Sequence, residues 1–340
     1  MEEILDNLKY KKYVLDSRLR YFKPHATKIQ KTFADEILHG LDRNSKFINS
    51  KFFYDKKGSD LFEQICLLEE YYPTRTEIAI LQSIQSELLS LLDNSFRLVE
   101  LGSGSSTKTR LILDVFRKFQ SNMEYFPIDI SEILTESSEF LLKEYPDLSI
   151  TGIIDTYEGG LEFIEQYDSK KNLILFLGSS FGNFSPYDGK KFLKKINSVM
   201  KCGDLFLLGL DLVKNTSVLK KAYDDSKGIT AKFNLNVLSR INDELDADFI
   251  IDNFQHYAVY NEEKQRIEMY LRSLLDQSII ISKANLVIQL HKDELITTEY
   301  SYKYNISQIK ELMFDSGFDI RNIWVDENSL FALILVSKQS

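Results

Sequence analysis

The chain of 340 residues is 44% hydrophobic and 12% aromatic, which is enough apolar material for one large domain or two intimate ones. Its net charge of −9 argues against a nucleic-acid partner, because a phosphate backbone is bound by a basic stripe. No apolar run approaches the roughly 20 residues that span a bilayer, and the acidic start Met1-Glu2-Glu3-Ile4 is unlike a signal peptide. We therefore expect a cytoplasmic monomer with neither a membrane nor a nucleic-acid partner.

The cysteines and histidines follow no pattern typical of metal ligands. Cys66 and Cys202 are remote in sequence, and we interpret both as buried small hydrophobic residues in a reducing compartment. Ordinary structural or surface roles are expected for the four histidines, which are His25, His39, His256 and His291. The sequence therefore predicts no metal site.

The first part of the chain has helical spacing of apolar residues near positions 28–40 and 59–70. Pro73 and Thr74 predict a boundary before a long helix from Arg75 to about Leu92. Strands and helices then alternate. The predicted strands are Phe96–Leu101, Glu124–Ile128, Leu148–Ile153, Asn172–Leu177 and Leu205–Leu210, and the predicted helices are Thr107–Phe119, Ser131–Tyr145 and Pro186–Met200. This alternation predicts an α/β fold with a doubly wound, mostly parallel sheet.

The pattern changes after Asp211. Residues 216–242 have helical spacing, and short segments with alternating polarity then predict an antiparallel sheet. These segments are residues 249–260, 266–273, 279–282, 286–290 and 295–304. A last helix is predicted at 306–316 and a last strand at 330–336, and we expect them to complete the first sheet. We predict a nucleotide-type domain at 76–213 and 304–340 and a second α+β lobe at 22–75 and 214–303.

A glycine-containing loop lies where the first predicted strand turns into a helix. Gly102 and Gly104 let the backbone approach a ligand, and the N-terminus of the following helix favours a negative group. A nicotinamide-binding loop has Gly or Ala where this chain has Thr107. The loop alone is equally typical of a tight strand-to-helix turn.

Polar residues at the ends of successive strands strengthen the case for a ligand. Asp129 is placed to accept hydrogen bonds from ribose hydroxyls, and Asp155 from an adenine amino group. Gly178 follows the fourth strand, at the edge where open α/β sheets bind ligands. Lys108 is either a surface lysine or a cation for the carboxylate of S-adenosylmethionine. Each acid alone can be a turn or cap residue, but the series predicts a nucleoside-bearing ligand.

Eight longer motifs occur in a consistent order between about residue 25 and the C-terminus. They are Tyr54–Phe62, Glu70–Glu77, Leu101–Gly104, Phe176–Asn183, Leu210–Lys214, Ala222–Asp225, Phe233–Leu238 and Arg266–Met269. Together they resemble the S-adenosylmethionine-dependent histidine Nα-methyltransferases of ergothioneine biosynthesis. The resemblance implies a class I methyltransferase domain, a lobe that holds L-histidine, and hercynine (trimethylated histidine) as product.

The resemblance also implies the residues of each site. The implied cofactor-site residues are Tyr54, Gly102, Lys108, Asp129, Asp155 and Thr156. The implied substrate-site residues are Tyr71, Gly178, Asn183, Tyr223, Met269, Glu299 and Ser301. Thr156 stands where the family pattern has an aromatic residue, which puts a packing contact with adenine in doubt. Glu69 stands where a proline is usual.

Methyl transfer from a sulfonium requires alignment and a free amine lone pair rather than a covalent nucleophile. A tyrosine hydroxyl, a water or the Gly178 carbonyl can orient the amine, and Tyr54 is the candidate for a group near it. Asn183 and Tyr223 are neutral donors suited to the substrate α-carboxylate. Their alternative roles are support of a turn and a half-buried helix tyrosine.

The strand Thr298-Glu299-Tyr300-Ser301 carries the argument for substrate specificity. Glu299 and Ser301 are expected on one face of it, where a carboxylate and a hydroxyl match the two nitrogens of an imidazole. The alternative is a solvated polar strand face, and Met269 is either core or a pocket wall. Three other functions stay open: methylation of another amino acid such as a tryptophan derivative, dinucleotide-dependent oxidoreduction, and amino-acid sensing without catalysis.

Overall fold

The computed structural model describes residues 10–25, 32–104, 106–130 and 133–339. The described residues form two compact units, the first from residues within 10–25, 75–212 and 304–339 and the second from residues within 32–74 and 213–303. The start of the predicted second lobe, at residue 22, falls inside a strand of the first unit. The functions predicted for the two parts of the chain stay predictions.

The described elements are numbered here in chain order. The strands are β1 (Tyr10–Val14), β2 (Leu19–Pro24), β3 (Phe96–Leu101), β4 (Met123–Asp129), β5 (Leu148–Ile154), β6 (Lys171–Phe176), β7 (Leu205–Asp211), β8 (Phe254–Asn261), β9 (Arg266–Ser273), β10 (Gln277–Ile281), β11 (Leu286–Leu290), β12 (Leu295–Tyr302), β13 (Phe318–Val325) and β14 (Phe331–Lys338). The α-helices are α1 (Phe33–Leu41), α2 (Lys56–Cys66), α3 (Tyr72–Ser83), α4 (Gln85–Leu91), α5 (Thr107–Phe116), α6 (Ile133–Glu144), α7 (Tyr157–Tyr167), α8 (Pro186–Val199), α9 (Thr216–Tyr223), α10 (Ile229–Leu245) and α11 (Ile306–Asp315).

The first unit is built on one large sheet. Its strand order over the described residues is β1-β2-β5-β4-β3-β6-β7-β14-β13. The strands from β2 to β7 in that order pair in parallel, whereas β1, β14 and β13 pair antiparallel at the two edges. The predicted α/β fold with a doubly wound, mostly parallel sheet is confirmed.

Apolar side chains cover both faces of this sheet, as expected for parallel strands flanked by helices. Every residue of β3 is buried. Val99 and Leu101 belong to one core cluster, together with Ile128. Phe96 and Leu98 belong to a second cluster on the opposite face. The two cores hold the carboxyl ends of the parallel strands at one edge, where the predicted ligand residues lie.

Four elements of the first unit were not predicted: β1, β2, β13 and α7. The first two are short and rich in Lys and Arg, so they lack the apolar run of a buried strand. Helix α7 contains Gly159 and Gly160, which lower helix propensity. Close packing leaves no room for a side chain at Gly160, because a Cβ there would lie 2.3 Å from Ile128.

Two predicted helices are each divided in the structure. Pro73 does not close the preceding region but lies in the first turn of α3, where its missing N–H has no helical partner to lose. The chain breaks at Ile84 between α3 and α4. Farther on, Asp225 accepts backbone hydrogen bonds from Ile229 (3.0 Å) and Thr230 (2.7 Å) and so begins α10 after a break from α9.

The second unit contains two small antiparallel sheets among its described residues. Strands β12, β9 and β8 form one, and β10 pairs with β11 in the other. Helix α10 packs against α2 and β8, and the Phe53 and Phe233 rings lie 4.7 Å apart in its core. The predicted antiparallel sheet is confirmed.

The prediction that both cysteines are buried was wrong. Cys66 ends α2 and is partly exposed, and Cys202 is exposed in a turn before β7. The turn contains Gly203 at φ +90°, a conformation that favours glycine. Over the described residues, no three His, Cys, Asp or Glu side chains cluster as metal ligands, and no helix is long and apolar enough to cross a bilayer.

Candidate active site

The glycine loop after β3 has a backbone that favours glycine. Gly102 and Gly104 have φ values of +74° and +47°. A Cβ at Gly102 would lie 2.8 Å from the Tyr157 hydroxyl. The buried Ser106 hydroxyl finds no hydrogen-bond partner among the described residues. The loop therefore combines an exposed backbone with a buried polar atom that a ligand can satisfy.

The two acidic residues predicted at the strand ends lie side by side. Asp129 ends β4, and its carbonyl accepts a hydrogen bond from the backbone N–H of Asp155 (3.1 Å). One carboxylate oxygen of Asp155 accepts from the Tyr10 hydroxyl, and the other accepts from the Thr156 N–H (2.7 Å). Tyr10, on an unpredicted strand, packs its ring 5.1 Å from that of Phe163. It supplies an aromatic side chain beside Asp155.

The Thr156 side chain caps a helix. Its hydroxyl accepts from the Gly159 N–H (3.2 Å) at the N-terminus of α7. Gly159 also makes room for the neighbouring acid, since a Cβ there would lie 2.2 Å from Asp155 Oδ2. The Thr156 hydroxyl and its backbone N–H are thus both engaged within the protein, and the predicted role of Thr156 in the cofactor site stays a prediction.

Glu77 connects two of the predicted site residues. It is fully buried, and both of its carboxylate oxygens accept from the Gly178 N–H, at 3.0 and 2.9 Å. The Lys108 ammonium donates to Glu77 Oε2 (2.7 Å). A Cβ at Gly209 would lie 2.1 Å from Glu77 Oε1, so the missing side chain on β7 makes room for the carboxylate. Glu77 therefore fixes the positions of both Lys108 and Gly178.

The segment after β6 turns sharply. Gly178 and Ser179 have φ values of +78° and +57°. The Ser179 hydroxyl accepts from the backbone N–H of Asp211 (3.1 Å), which ties the turn to β7. A 3₁₀ turn, Ser180–Asn183, follows, and its last residue is exposed. The predicted role of Asn183 in binding a carboxylate stays a prediction.

A buried acid lies just before the glycine loop. Glu100 Oε2 accepts from the hydroxyls of Tyr125 (2.5 Å) and Thr109 (2.7 Å). Burial raises the pKa of Glu100 from 4.5 to about 7, although these hydrogen bonds and the Lys108 charge oppose the shift. The carboxyl is therefore largely protonated at mildly acidic pH.

Replacement of this acid is expected to change how stability depends on pH. Because the folded state binds a proton more tightly than the unfolded state, Glu100 destabilises the fold as pH rises from about 4.5 to about 7. The stability of Glu100→Gln relative to wild type should therefore increase between pH 5 and pH 7.5. Urea unfolding at both pH values measures this difference, and parallel pH profiles would contradict the prediction.

In the second unit, a β-bulge orients the predicted specificity residues. Thr297 pairs with Tyr270, but Glu299 pairs with Met269, so the register shifts at Thr298. The shift brings Glu299 onto the same sheet face as Met269, as bulges near sites commonly do. The regular pairing that follows places Ser301 on that face too, so the expected same-face arrangement is confirmed.

The Ser301 hydroxyl belongs to a buried polar cluster. It lies 2.9 Å from the Tyr223 hydroxyl, and the Lys303 ammonium donates to both, at 2.8 and 2.9 Å. Lys303 is only 2% exposed. His256 Nε2 donates to the Tyr223 backbone carbonyl (2.9 Å) and so helps to hold Tyr223 in position. The interpretation of His256 as structural agrees with this contact.

Burial also changes the acid–base properties of this face. It raises the pKa of Glu299 from 4.5 to about 7, and the charge of Lys303 opposes the shift. The pKa of Tyr71 is raised well above 10 by burial and by the nearby Tyr223, Cys66, Tyr54 and Glu299. Tyr71 is therefore a neutral phenol at physiological pH.

Aromatic rings line the same region of the second unit. The Tyr71 ring lies 6.2 Å from those of Tyr223 and Phe62. The partly exposed Tyr54 lies 5.5 Å from Phe62 and 5.7 Å from Phe233. The structure thus brings Tyr54, which we placed near both ligands, into the aromatic cluster that contains Tyr71.

The predicted residues form one group within each unit. In the first unit, Gly102, Lys108, Asp129, Asp155, Thr156, Gly178 and Asn183 follow the carboxyl ends of β3 to β6. In the second, Tyr54, Tyr71, Tyr223, Met269, Glu299 and Ser301 lie on the aromatic cluster and one sheet face. Sequence reasoning gave no role to four residues that contact the predicted ones, which are Tyr10, Glu77, Tyr157 and Lys303. Two of them had a local signal, since Lys303 continues the alternation of Glu299 and Ser301 and Glu77 ends the Glu70–Glu77 motif.

Comparison with known proteins gives a consistent result. The model of a family described as histidine-specific, S-adenosylmethionine-dependent methyltransferases matches residues 33–338. Histidine N-alpha-methyltransferases from Mycobacterium tuberculosis and Mycolicibacterium smegmatis are each 38% identical, over 304 and 301 residues, covering 89% and 88% of this chain and 94% and 93% of theirs. The L-tryptophan methyltransferase trpM of Psilocybe serbica is 29% identical over 325 residues, covering 88% and 90%.

The first unit fits the cofactor of that family. The open glycine loop, the unpartnered Ser106 hydroxyl within the described residues, and the neighbouring Asp129 and Asp155 match the polar groups of an adenosine. Phosphate groups are not needed to explain Lys108, which is already paired with Glu77. From its sequence, its parallel sheet and this site, the chain belongs to the family of histidine-specific, S-adenosylmethionine-dependent methyltransferases.

Proposed function

We propose that this protein transfers methyl groups from S-adenosylmethionine to the α-amino nitrogen of L-histidine and produces hercynine. The polar face of the second unit carries the proposal. An imidazole has one N–H donor and one nitrogen acceptor, which match the Glu299 carboxylate and the Ser301 hydroxyl. An indole has an N–H donor but no acceptor, so tryptophan could bind Glu299 but could not accept a hydrogen bond from Ser301.

The residues that would hold the cofactor follow from the first unit. Asp129 would accept from the ribose hydroxyls, and Asp155, supported by Tyr10, from the adenine amino group. Gly102 would let the backbone approach, and Lys108 would lie near the amino-acid carboxylate. When bound, S-adenosylmethionine supplies an activated methyl group on its sulfonium. The chain contributes binding and alignment.

For methyl transfer, the protein must hold the α-amine of the substrate in its unprotonated form. Because the raised pKa of Tyr71 keeps its hydroxyl protonated, Tyr71 orients groups by hydrogen bonding and does not act as a strong base. Tyr54 and the Gly178 carbonyl are the groups we propose for holding the amine lone pair in line. Asn183 and Tyr223 are proposed to hold the α-carboxylate, and Met269 to form a pocket wall. Alignment alone can supply several kcal/mol, about 7–11 in the best cases.

Product analysis tests this proposal. The protein is incubated with S-adenosylmethionine and either L-histidine or L-tryptophan, and the products are weighed by mass spectrometry. We expect trimethylated histidine and no methylated tryptophan. Methylated tryptophan without a histidine product would contradict the proposal in favour of the alternative substrate. Tight histidine binding without any methylated product would instead indicate a sensor.

The remaining expectations belong to the same proposal. We propose that the protein acts on its small-molecule substrate as a cytoplasmic monomer without a protein partner. Light scattering coupled to size-exclusion chromatography measures the mass in solution. A single peak at the 39.6 kDa of one chain is expected, and a dimer mass would contradict it.

Substitution of the loop glycine is expected to weaken cofactor binding. Gly102→Ala places a Cβ 2.8 Å from the Tyr157 hydroxyl and strains a backbone at φ +74°, which costs about 1–3 kcal/mol. Calorimetry should show S-adenosylhomocysteine binding about tenfold weaker. The double variant Gly102→Ala/Tyr157→Phe, which lacks the clashing hydroxyl, should recover part of the loss. No loss in the single variant would show that the loop does not approach the cofactor.

A further inference from the structure

The buried ammonium of Lys303 is not explained by the functional assignment above. We propose that Lys303 is a positioning residue that makes the substrate site select the neutral imidazole ring of histidine over the imidazolium ion. This inference rests on the proposed function and adds to it the protonation state in which the substrate binds.

The first observation is the distance between Lys303 and the hydroxyl proposed to meet the ring. An ammonium only donates hydrogen bonds, so Ser301 Oγ and the Tyr223 oxygen both accept from it, at 2.8 and 2.9 Å. A ring nitrogen beside Ser301 would therefore lie one hydroxyl away from the buried ammonium. If that nitrogen carried the proton of an imidazolium, two cations would lie close together in a buried site, whereas an unprotonated nitrogen avoids this repulsion.

The second observation is the balance of charge on this face. Glu299 and Lys303 interact electrostatically, and the Tyr71 and Tyr223 hydroxyls and the Cys66 thiol are ionisable groups of the same region. A neutral ring leaves the interaction between Glu299 and Lys303 undisturbed. An imidazolium would be a further buried cation that shares the Glu299 carboxylate with Lys303.

Removal of the lysine charge should therefore change how many protons the site holds. Without Lys303, the same carboxylate can pair with an imidazolium, or it can bind a proton and meet a neutral ring. In both cases the complex holds one more proton than the wild-type complex. Burial already raises the pKa of Glu299 to about 7, which makes this exchange accessible near neutral pH.

Calorimetry in two buffers with different ionisation enthalpies measures the protons exchanged. L-Histidine is titrated into the full chain with S-adenosylhomocysteine at pH 6, where roughly three quarters of free imidazole side chains are protonated. We expect wild type to release the ring proton together with the proton that Glu299, with its pKa of about 7, holds in the free protein at this pH. Lys303→Met should release fewer protons, by an amount approaching one per histidine. Lys303→Arg keeps the charge and should resemble wild type, as should Lys310→Met on the exposed side of α11.

The outcomes separate this inference from the function on which it rests. Equal proton release by wild type and a folded Lys303→Met variant would overturn the inference while histidine methylation stands. Should Lys303→Met fail to fold, ¹⁵N NMR of ring-labelled histidine bound to wild type gives the answer directly. One N–H and one unprotonated nitrogen are expected, and two N–H groups would overturn it. A wild-type protein that neither binds nor methylates histidine would overturn the proposed function and this inference together.

Discussion

Replacement of Glu299 with alanine is expected to lower kcat/KM for L-histidine by about 10³-fold, equivalent to about 4 kcal/mol. The change leaves a ring N–H without an acceptor and removes the carboxylate that interacts electrostatically with the buried Lys303 ammonium. Steady-state kinetics with histidine measures the loss. The affinity for S-adenosylhomocysteine should stay within about twofold of wild type, because Gly102, Asp129 and Asp155, which we propose bind the cofactor, belong to the first unit and Glu299 to the second.

Thr297→Ala is the matched control for this prediction. Thr297 precedes the bulge on the same strand and pairs with Tyr270, so it faces the opposite side of the sheet from Glu299. Its replacement should leave kcat/KM for histidine nearly unchanged. If Glu299→Ala lost histidine turnover and cofactor affinity together, Glu299 would have a structural role. That result would contradict the proposal that Glu299 binds the imidazole ring of histidine.

Replacement of Glu77 with alanine should produce the largest loss of stability, about 3 kcal/mol. Both oxygens of this fully buried carboxylate are engaged, and its removal leaves the Gly178 N–H without this acceptor and breaks the ion pair between Glu77 and Lys108. Lys108 keeps some access to water, with 23% of its side chain exposed, so the loss falls at the lower end of the range for broken buried pairs. Urea denaturation of the variant and of wild type gives their free energies of unfolding, and the difference measures the effect.

Two variants make the Glu77 prediction specific. Glu77→Gln keeps an acceptor for the Gly178 N–H but removes the charge, so its loss should be intermediate. Glu63→Ala, an exposed position on α2, should change stability by less than about 0.5 kcal/mol. If Glu77→Ala were as stable as Glu63→Ala, the carboxylate would not be holding the glycine turn in place.

The fold was largely predictable because its central strands are apolar runs between turn residues. The predicted bounds of β3, β9 and β11 agree with the structure. Strands β1 and β2 were not predicted, because lysines and arginines interrupt their apolar residues. Such charged residues are typical of strands at or near a sheet edge. Helix α7 was missed because Gly159 and Gly160 are poor helix formers, although tight packing on Ile128 and Asp155 requires small residues there.

The candidate site was predictable where its signal was local. The shared face of Glu299 and Ser301 follows from a period of two, and the same period continues to Lys303. The contacts of Glu77 had no such signal, because its partners lie 31 and 101 residues along the chain. Tyr10 likewise meets Asp155 across 145 residues. Such contacts depend on the topology of the sheet, which sequence spacing does not specify.

A crystal structure of the protein with L-histidine and S-adenosylhomocysteine tests the central claim most directly. We predict one ring nitrogen within hydrogen-bond distance of the Glu299 carboxylate and the other beside the Ser301 hydroxyl. We also predict that the α-amine is directed at the cofactor sulfur. An imidazole bound away from both side chains would contradict the assignment of histidine as substrate, even if the cofactor occupied the predicted residues of the first unit.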